Sequence, residues 1–220
     1  QMTDEVVHAS RLIFEVYQEL GFENVDVKLS TRPEKRVGTD AVWDKAEADL
    51  EDACKKMQIP YTLNPGEGAF YGPKLEFTLY DAIGRAWQCG TVQVDFNLPG
   101  RLDAEYVAED GSRQRPAMLH RAVLGSMERF IGVLIEHYAG AFPVWLAPVQ
   151  AKIIPISEKA NAYAEHVRKT LSEVDIPDTG GGLRVEVDSA NERMQKKIRD
   201  AQLQKIPYML VVGEREAAEG

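Results

Sequence analysis

Cysteine is scarce, with Cys54 and Cys89 the only two in 220 residues. They form no CxxC pair, so neither a disulfide framework nor a zinc ribbon is available, and the usage fits a reducing, cytoplasmic compartment. No apolar run approaches the roughly 20 residues of a membrane span, and no membrane partner is expected. The start, Gln1-Met2-Thr3-Asp4-Glu5, lacks the pattern of a signal peptide. It also lacks an initiator methionine, so a fragment is expected. Basic charge is short as well: 26 Lys and Arg stand against 35 Asp and Glu, a net charge of −9. That excludes sequence-blind nucleic-acid binding over the whole surface, though not a local basic face. Repeats and low-complexity segments are missing. What is present is a hydrophobic fraction of 44%, ordinary for a folded chain with room for one large or two smaller domains.

Val6, Val7, Leu12, Ile13, Val16, Tyr17 and Leu20 recur at helical spacing and stop at Gly21. Residues 25–31 alternate as a strand does. Asp40 is a candidate N-cap for a helix through Met57, with Trp43, Ala46 and Leu50 on one face. From Phe70 to Phe96 the pattern is antiparallel strands joined by a turn at Asp81–Arg85. In the second of these, Cys89, Thr91, Gln93 and Asp95 fall on one polar face. A solvated face is the plain reading; a sheet face that binds a polar small molecule is the other. Gln88 lies on the opposite side unless a bulge near Gly90 re-aims it. A helix is expected from Gly125 to Tyr138, with Phe130, Ile131, Leu134 and Ile135 as its apolar stripe.

Pro143 and Pro148 mark a composition shift and the expected boundary between domains 1–147 and 148–220. Beyond it, strands at 151–156, 183–187 and 208–212 alternate with helices at 157–174 and 191–203, which implies a small α/β domain with a partly parallel sheet. The glycine-rich run Asp178-Thr179-Gly180-Gly181-Gly182 reads as a flexible loop.

The densest chemistry lies at 120–130. A helix starting near Gly125 and Ser126 offers unpaired N–H groups to an anion, and Arg129 adds a planar cation one turn in. An ordinary helix start beside a hydrogen-bonded His120 is the alternative.

Four stretches decide between these readings: STRPEKRVGTDAVWDKAEADL (30–50), GEGAFYGPKLEFTLYDAIGRAWQCGTVQVDFNLPGRL (66–102), HRAVLGSMERFIGVLIEH (120–137) and FPVWLAPVQ (142–150). Together they resemble the bacterial threonyl-tRNA synthetases, class II aminoacyl-tRNA ligases, over essentially the whole chain. The resemblance implies an α+β class II catalytic domain, an antiparallel sheet with flanking helices truncated on its N-terminal side. It implies a small α/β anticodon-binding domain with a mixed sheet after it. The implied activity joins L-threonine to ATP as threonyl-adenylate and passes the threonyl group to threonine tRNA, in a homodimer built through segments largely outside this chain.

Residue by residue, the resemblance makes His120 one of three protein ligands of a Zn2+, the other two lying before Gln1. Arg129 matches the arginine of the third class II signature at the ATP phosphates, where Mg2+ also serves. Gly125 and Ser126 match backbone close to the nucleotide. Tyr71 and Lys74 match residues near threonine and the adenylate. Gln88, Cys89, Thr91 and Gln93 match the strand lining the ATP and amino-acid pocket, with Lys74, Gln93 and Arg129 taken as the catalytic set. Asp95 is open between a supporting role and plain surface. Asn191, Arg199, Lys205 and Glu216 match positions that read anticodon bases. Arg193, Lys196, Lys197, Arg199 and Lys205 supply a local excess of basic charge there. Because the first two class II signatures precede Gln1, the 220 residues alone are expected not to form the adenylate. The alternatives are a non-catalytic synthetase-like protein that binds tRNA or mRNA, another class II synthetase such as the prolyl or histidyl type, and a small α/β ligand-binding module with no RNA role.

Overall fold

The helical periodicity of the first twenty residues becomes α1 (Met2–Glu19), which buries Val6, Val7, Ile13 and Tyr17 and ends where the chain turns at Gly21. The computed structural model describes residues 2–176 and 181–219. The chain divides into two units, residues 1–134 and 135–220, a division earlier than the proline-marked boundary expected from composition.

In the first unit β1 (Asp26–Ser30), α2 (Asp40–Met57), β2 (Thr62–Asn64), β3 (Lys74–Tyr80) and β4 (Ala86–Asp95) follow α1. Then come α3 (Leu98–Arg101), a two-stranded ribbon of β5 (Tyr106–Val107) and β6 (Arg113–Gln114), β7 (Met118–Ala122) and α4 (Met127–His137), within which the first unit ends at Leu134. The α2 cap is Thr39, whose hydroxyl accepts from the Val42 N–H at 3.4 Å, and not Asp40; Asp40 is the first helical residue. Five strands form one sheet in the order β2-β1-β3-β4-β7, antiparallel throughout except for the parallel pair β1–β2.

Register assigns the faces of this sheet. Val27, Leu29, Leu75, Phe77, Val92 and Val94 lie on one face and are buried. That face is closed by α1, with Phe14 edge-on to Phe77 at 5.5 Å, and by α2 through buried Trp43 and Ala46. Removing these side chains from water is the main term holding the unit together, on the order of 2 kcal/mol per large aliphatic. The opposite face carries the polar residues.

The β3–β4 turn is held by one carboxylate. Buried Asp81 accepts from the backbone N–H of Ile83 and Arg85 at 3.1 and 2.9 Å, from the Arg85 side chain at 2.5 Å and from Trp87 Nε1 at 2.9 Å. Burial alone would raise its pKa; the bonds from Trp87, Arg85 and Ile83 outweigh that and bring it down to about 2. A carboxyl depressed on folding stabilises the fold above its unfolded pKa near 3.9 and loses that contribution as pH falls toward its folded value. Asp81→Asn should therefore lower the urea midpoint at pH 7, and the gap to wild type should close between about pH 4 and pH 2. A gap that is constant across that range removes Asp81 as the titrating support.

In the second unit β8 (Ala151–Pro155) is followed by a 3-10 turn (Glu158–Ala160), α5 (Asn161–Ser172), β9 (Val185–Val187), α6 (Met194–Leu203), β10 (Tyr208–Val212) and α7 (Glu214–Glu219). Ser157 makes no side-chain cap. The three strands are ordered β10-β8-β9 and are parallel throughout, where a mixed sheet was expected. Ile153, Ala164 and Val212 form its core, packed by Tyr163, Val167, Val185, Val187 and Leu210. Of the glycine-rich run, residues 178–180 lie outside the described residues. No helix among the described residues is long and apolar enough to cross a membrane.

Candidate active site

Three adjacent strands place Lys74, Gln93 and His120 side by side, because Lys74 pairs with Gln93 and Gln93 with His120. Directly opposed residues share a face, so these three form one row on the polar side of the sheet, continued by Ser30 on β1. The next row holds Glu76, Thr91 and Ala122. A β-bulge then interrupts β4: Phe77 pairs with Gly90 and Thr78 with Gln88, leaving Cys89 without a partner on β3. The extra residue shifts the alternation by one. Gln88 thereby joins the polar rows, and Cys89 leaves the row that simple alternation gave it. Cys89 is 3% exposed, and burial pushes its thiol up while nearby Arg129 pulls the other way. It is a packed thiol and not a nucleophile.

The polar face is not a solvated one. Lys74 Nζ lies 2.7 Å from Glu76 Oε1, and the same oxygen accepts from Ser30 Oγ at 2.9 Å. Ser30 in turn accepts from Asn64 Nδ2 at 3.2 Å. Ser30, Glu76, Thr78 and Asp95 are all buried. Tyr71, in the turn before β3, donates to Gln93 Oε1 at 2.8 Å and lies 5.2 Å from the His120 ring. Burial, then the Asp95 carboxylate, raises the Tyr71 phenol, and the bond to Gln93 lowers it. The outcome is a phenol that stays protonated and donates. That leaves Gln93 its amide NH2 as a donor to a ligand.

Asp95, open between support and surface on sequence grounds, is 0% exposed and its Oδ2 lies 3.0 Å from His120 Nε2. Ser30, Glu76 and Thr78, buried on the same face, do not stand out in the sequence either. Their polar letters in an alternating strand read as a solvent face, and only long-range partners show otherwise.

β7 pairs with β4 only from Thr91 onward, so the backbone of Gln88 and Cys89 is open on that side. The 123–129 segment takes this place. Tyr17, whose phenol burial pushes well above its usual range, donates to the Val123 carbonyl at 2.7 Å. Gly125 has φ +66°, and a Cβ there would meet the Cys89 carbonyl oxygen at 2.8 Å, so a residue without one is needed on two counts. Ser126 caps α4, its Oγ accepting from the Arg129 N–H at 3.4 Å and donating to Glu128 at 2.9 Å. Arg129 donates to the Gln88 carbonyl at 3.3 Å, with its guanidinium 6.0 Å from the Trp87 ring. The apolar stripe of α4 runs through Phe130, Val133 and Leu134; Ile131 and Ile135, expected to be buried, are 45% and 46% exposed.

The candidate anticodon residues are not brought together: no hydrogen bond or ion pair joins any two of them among the described residues. Asn191 follows β9, and Glu216 follows β10, where it accepts from the Gly213 N–H at 2.8 Å. Arg199 is exposed on α6 beside Asp200 at 3.7 Å. Lys205 sits at φ +58° in the turn that enters β10, the opposite end of that strand from Glu216. The basic excess is also smaller than the letters suggest. Lys196 pairs with Glu192 at 2.7 Å, and Lys197 is buried with Nζ on the Asp188 carbonyl at 2.8 Å.

Residues 1–138, which build this sheet and the helix beside it, match the family of the tRNA synthetase class II core domain (G, H, P, S and T), and the chain belongs to that family. Residues 150–220 match an anticodon binding domain. More narrowly, the chain is 56% identical to the threonine–tRNA ligase of Alkalilimnicola ehrlichii over 98% of its length and 33% of that protein. It is 57% identical to that of Saccharophagus degradans over 97% of its length and 32% of that protein. It therefore spans about a third of the length of these curated relatives. The crystal structure of the RNA binding domain of threonyl-tRNA synthetase from Cryptosporidium parvum superposes with a TM-score of 0.89 at 42% identity, covering 100% of this chain and 53% of that one.

Proposed function

We propose that this chain carries part of the amino-acid and ATP site, together with the anticodon-reading unit, of a threonine–tRNA ligase. The observation that carries the reading is the row Lys74–Gln93–His120 on a sheet whose strand β4 also holds Arg129 through the Gln88 carbonyl, in a chain whose relatives at 56% and 57% identity are threonine–tRNA ligases. In the reaction, the threonine carboxylate attacks the α-phosphorus of ATP and pyrophosphate leaves; a tRNA ribose hydroxyl then attacks the acyl carbon and AMP leaves. No side-chain nucleophile is needed. Catalysis is positioning and charge stabilisation. Arg129, pre-oriented by the Gln88 carbonyl and Trp87, meets the phosphates that Mg2+ also neutralises. The amide of Gln93 and the hydroxyl of Tyr71 meet the amino acid, and Lys74, screened by Glu76, faces the adenylate. Asn191, Arg199, Lys205 and Glu216 are the candidate base-reading positions on the second unit, and a cytoplasmic homodimer is the proposed setting.

His120 fits one position of a zinc site. Its ring is 31% exposed, its Nε2 is held by a carboxylate and its Nδ1 makes no hydrogen bond among the described residues. No group of three His, Cys, Asp or Glu that could hold a metal occurs among the described residues, so the other ligands would come from outside them. Zinc there would take the threonine amino group and hydroxyl, which valine cannot match. His120→Ala in a polypeptide of the relatives' full length should lower zinc per subunit in elemental analysis; full retention removes His120 as a ligand.

The test of the whole reading is amino-acid-dependent ATP–pyrophosphate exchange by such a full-length polypeptide. Threonine should stimulate it and valine should not. Stimulation by proline or histidine instead reassigns the substrate. No exchange, with threonine tRNA still bound at stated salt, replaces the enzyme by a binding protein.

A further inference from the structure

Asp95 closes β4, is fully buried and has no lysine or arginine as an ion-pair partner among the described residues. A carboxylate in that position must be satisfied by hydrogen bonds. Its Oδ1 accepts from the backbone N–H of Asn97 at 2.8 Å and of Leu98 at 3.0 Å, which ties it to the start of α3. Those two bonds would be enough for a turn cap, and an asparagine could make both. The second oxygen does something a cap does not require. It lies 3.0 Å from Nε2 of His120, one strand away on the same face. The ring is restrained from another side by Tyr71, 5.2 Å away. Tyr71 is itself held at its carbonyl by Asn97 Nδ2 at 2.9 Å and at its hydroxyl by Gln93.

A carboxylate oxygen only accepts, so the hydrogen of the Asp95–His120 bond belongs to Nε2, and a neutral imidazole then carries its lone pair on Nδ1. We propose that Asp95 is a positioning residue that commits His120 to this tautomer and so decides that Nδ1, not Nε2, is the nitrogen open to a divalent cation. The part about the cation rests on the reading of His120 as a metal ligand; the tautomer does not. Carboxylates that fix a ligating imidazole in this way orient the ring and strengthen it as a donor.

The test is long-range 1H–15N correlation on the labelled 220-residue chain at pH 8, where an ordinary imidazole is neutral. Wild-type His120 is expected with its hydrogen on Nε2, slow enough in solvent exchange to be observed directly, and with Nδ1 unprotonated. In Asp95→Asn the two backbone N–H groups keep the amide oxygen, which leaves the amide NH2 facing the ring. Nε2 must then accept, and the hydrogen moves to Nδ1. The population should invert, from nearly all Nε2–H to a minority. A purely structural cap would leave the tautomer unchanged, because asparagine preserves the cap. An Asn variant that stays Nε2–H while the Asn97 and Leu98 amides keep their shifts overturns the proposal. If the variant does not fold, the wild-type spectrum decides: a hydrogen on Nδ1, or an Nε2 hydrogen lost to fast exchange, overturns it equally. Both spectra are taken without nucleotide or amino acid, so their outcome is separate from that of the exchange assay.

Discussion

Gly72→Ala is expected to cost the first unit about 3 kcal/mol or more, a large effect for adding one carbon to a chain. A Cβ at this position would stand 1.9 Å from the Val94 carbonyl oxygen and 3.0 Å from its carbon. Neither atom belongs to a flexible side chain. Val94 lies within β4, paired with Leu119 on β7, and its N–H bonds the Pro73 carbonyl at 3.3 Å. Relief therefore means lifting the 69–73 turn off β4 or distorting β4 itself. In the first case Tyr71 leaves Gln93 and the His120 ring; in the second, the row of polar residues loses its register. The measurement is the urea midpoint of the chain at pH 7, with the tyrosine fluorescence of Tyr71→Phe as reference for release of that side chain. Gly100→Ala is the control, since a Cβ there meets nothing within 4 Å and its φ is ordinary. It should lie within about 1 kcal/mol of wild type, on the stable side. A Gly72→Ala protein as stable as that control would mean that the close approach of turn and strand is not a constraint.

The same turn shows where sequence reasoning reaches and where it stops. Helices and strands with one apolar face were legible, since Trp43, Ala46 and Leu50 in α2, or Leu75, Phe77 and Leu79 in β3, repeat at the period of their element. A face polar by its letters is ambiguous, because Glu76 and Asp95 look alike whether they meet water or a lysine and a histidine on neighbouring positions of the sheet. The bulge near Gly90 re-aims Gln88 as its sequence position allows, whereas alternation puts Cys89 in the polar row and the pairing takes it out. The stripe of α4 holds at Phe130 and Leu134 and not at Ile131 and Ile135, for a related reason. Six large apolar residues are available in α4, and which of them is buried depends on how α4 meets α1, through Phe130 stacked on Tyr17 at 6.4 Å. In α6, Lys197 reads as surface charge, whereas it is buried and its amine ends on the Asp188 carbonyl.

Arg129→Ala should lower kcat/KM for ATP at least tenfold in a full-length ligase carrying this chain, a loss of about 1.4 kcal/mol from the transition state. The argument is one of pre-orientation. An arginine free in solvent must give up rotamer freedom to meet a phosphate, whereas the side chain of this one already has two contacts and its backbone a third. Its backbone N–H is bound by Ser126, its guanidinium donates to the Gln88 carbonyl, and the Trp87 ring lies 6.0 Å from its centre. Trp87 is fixed in turn by Asp81 through Nε1 at 2.9 Å. The bond to Gln88 uses one Nη, leaving other N–H groups of the planar fork for phosphate oxygens. Lysine keeps the charge but has neither the fork nor the flat face that lies over an indole, so Arg129→Lys should recover only part of the loss. If the arginine acts on charge developing during adenylate formation, kcat falls and the KM for threonine stays near wild type, because in the proposed site Gln93 and Tyr71, neither on α4, meet the amino acid. Equal losses in the KM of both substrates would instead point to collapse of the 123–129 segment. Circular dichroism and the urea midpoint separate that case, since α4 keeps its Ser126 cap in the alanine protein. Unchanged kinetics with ATP would remove Arg129 from the phosphate site and leave its ordered geometry without a task.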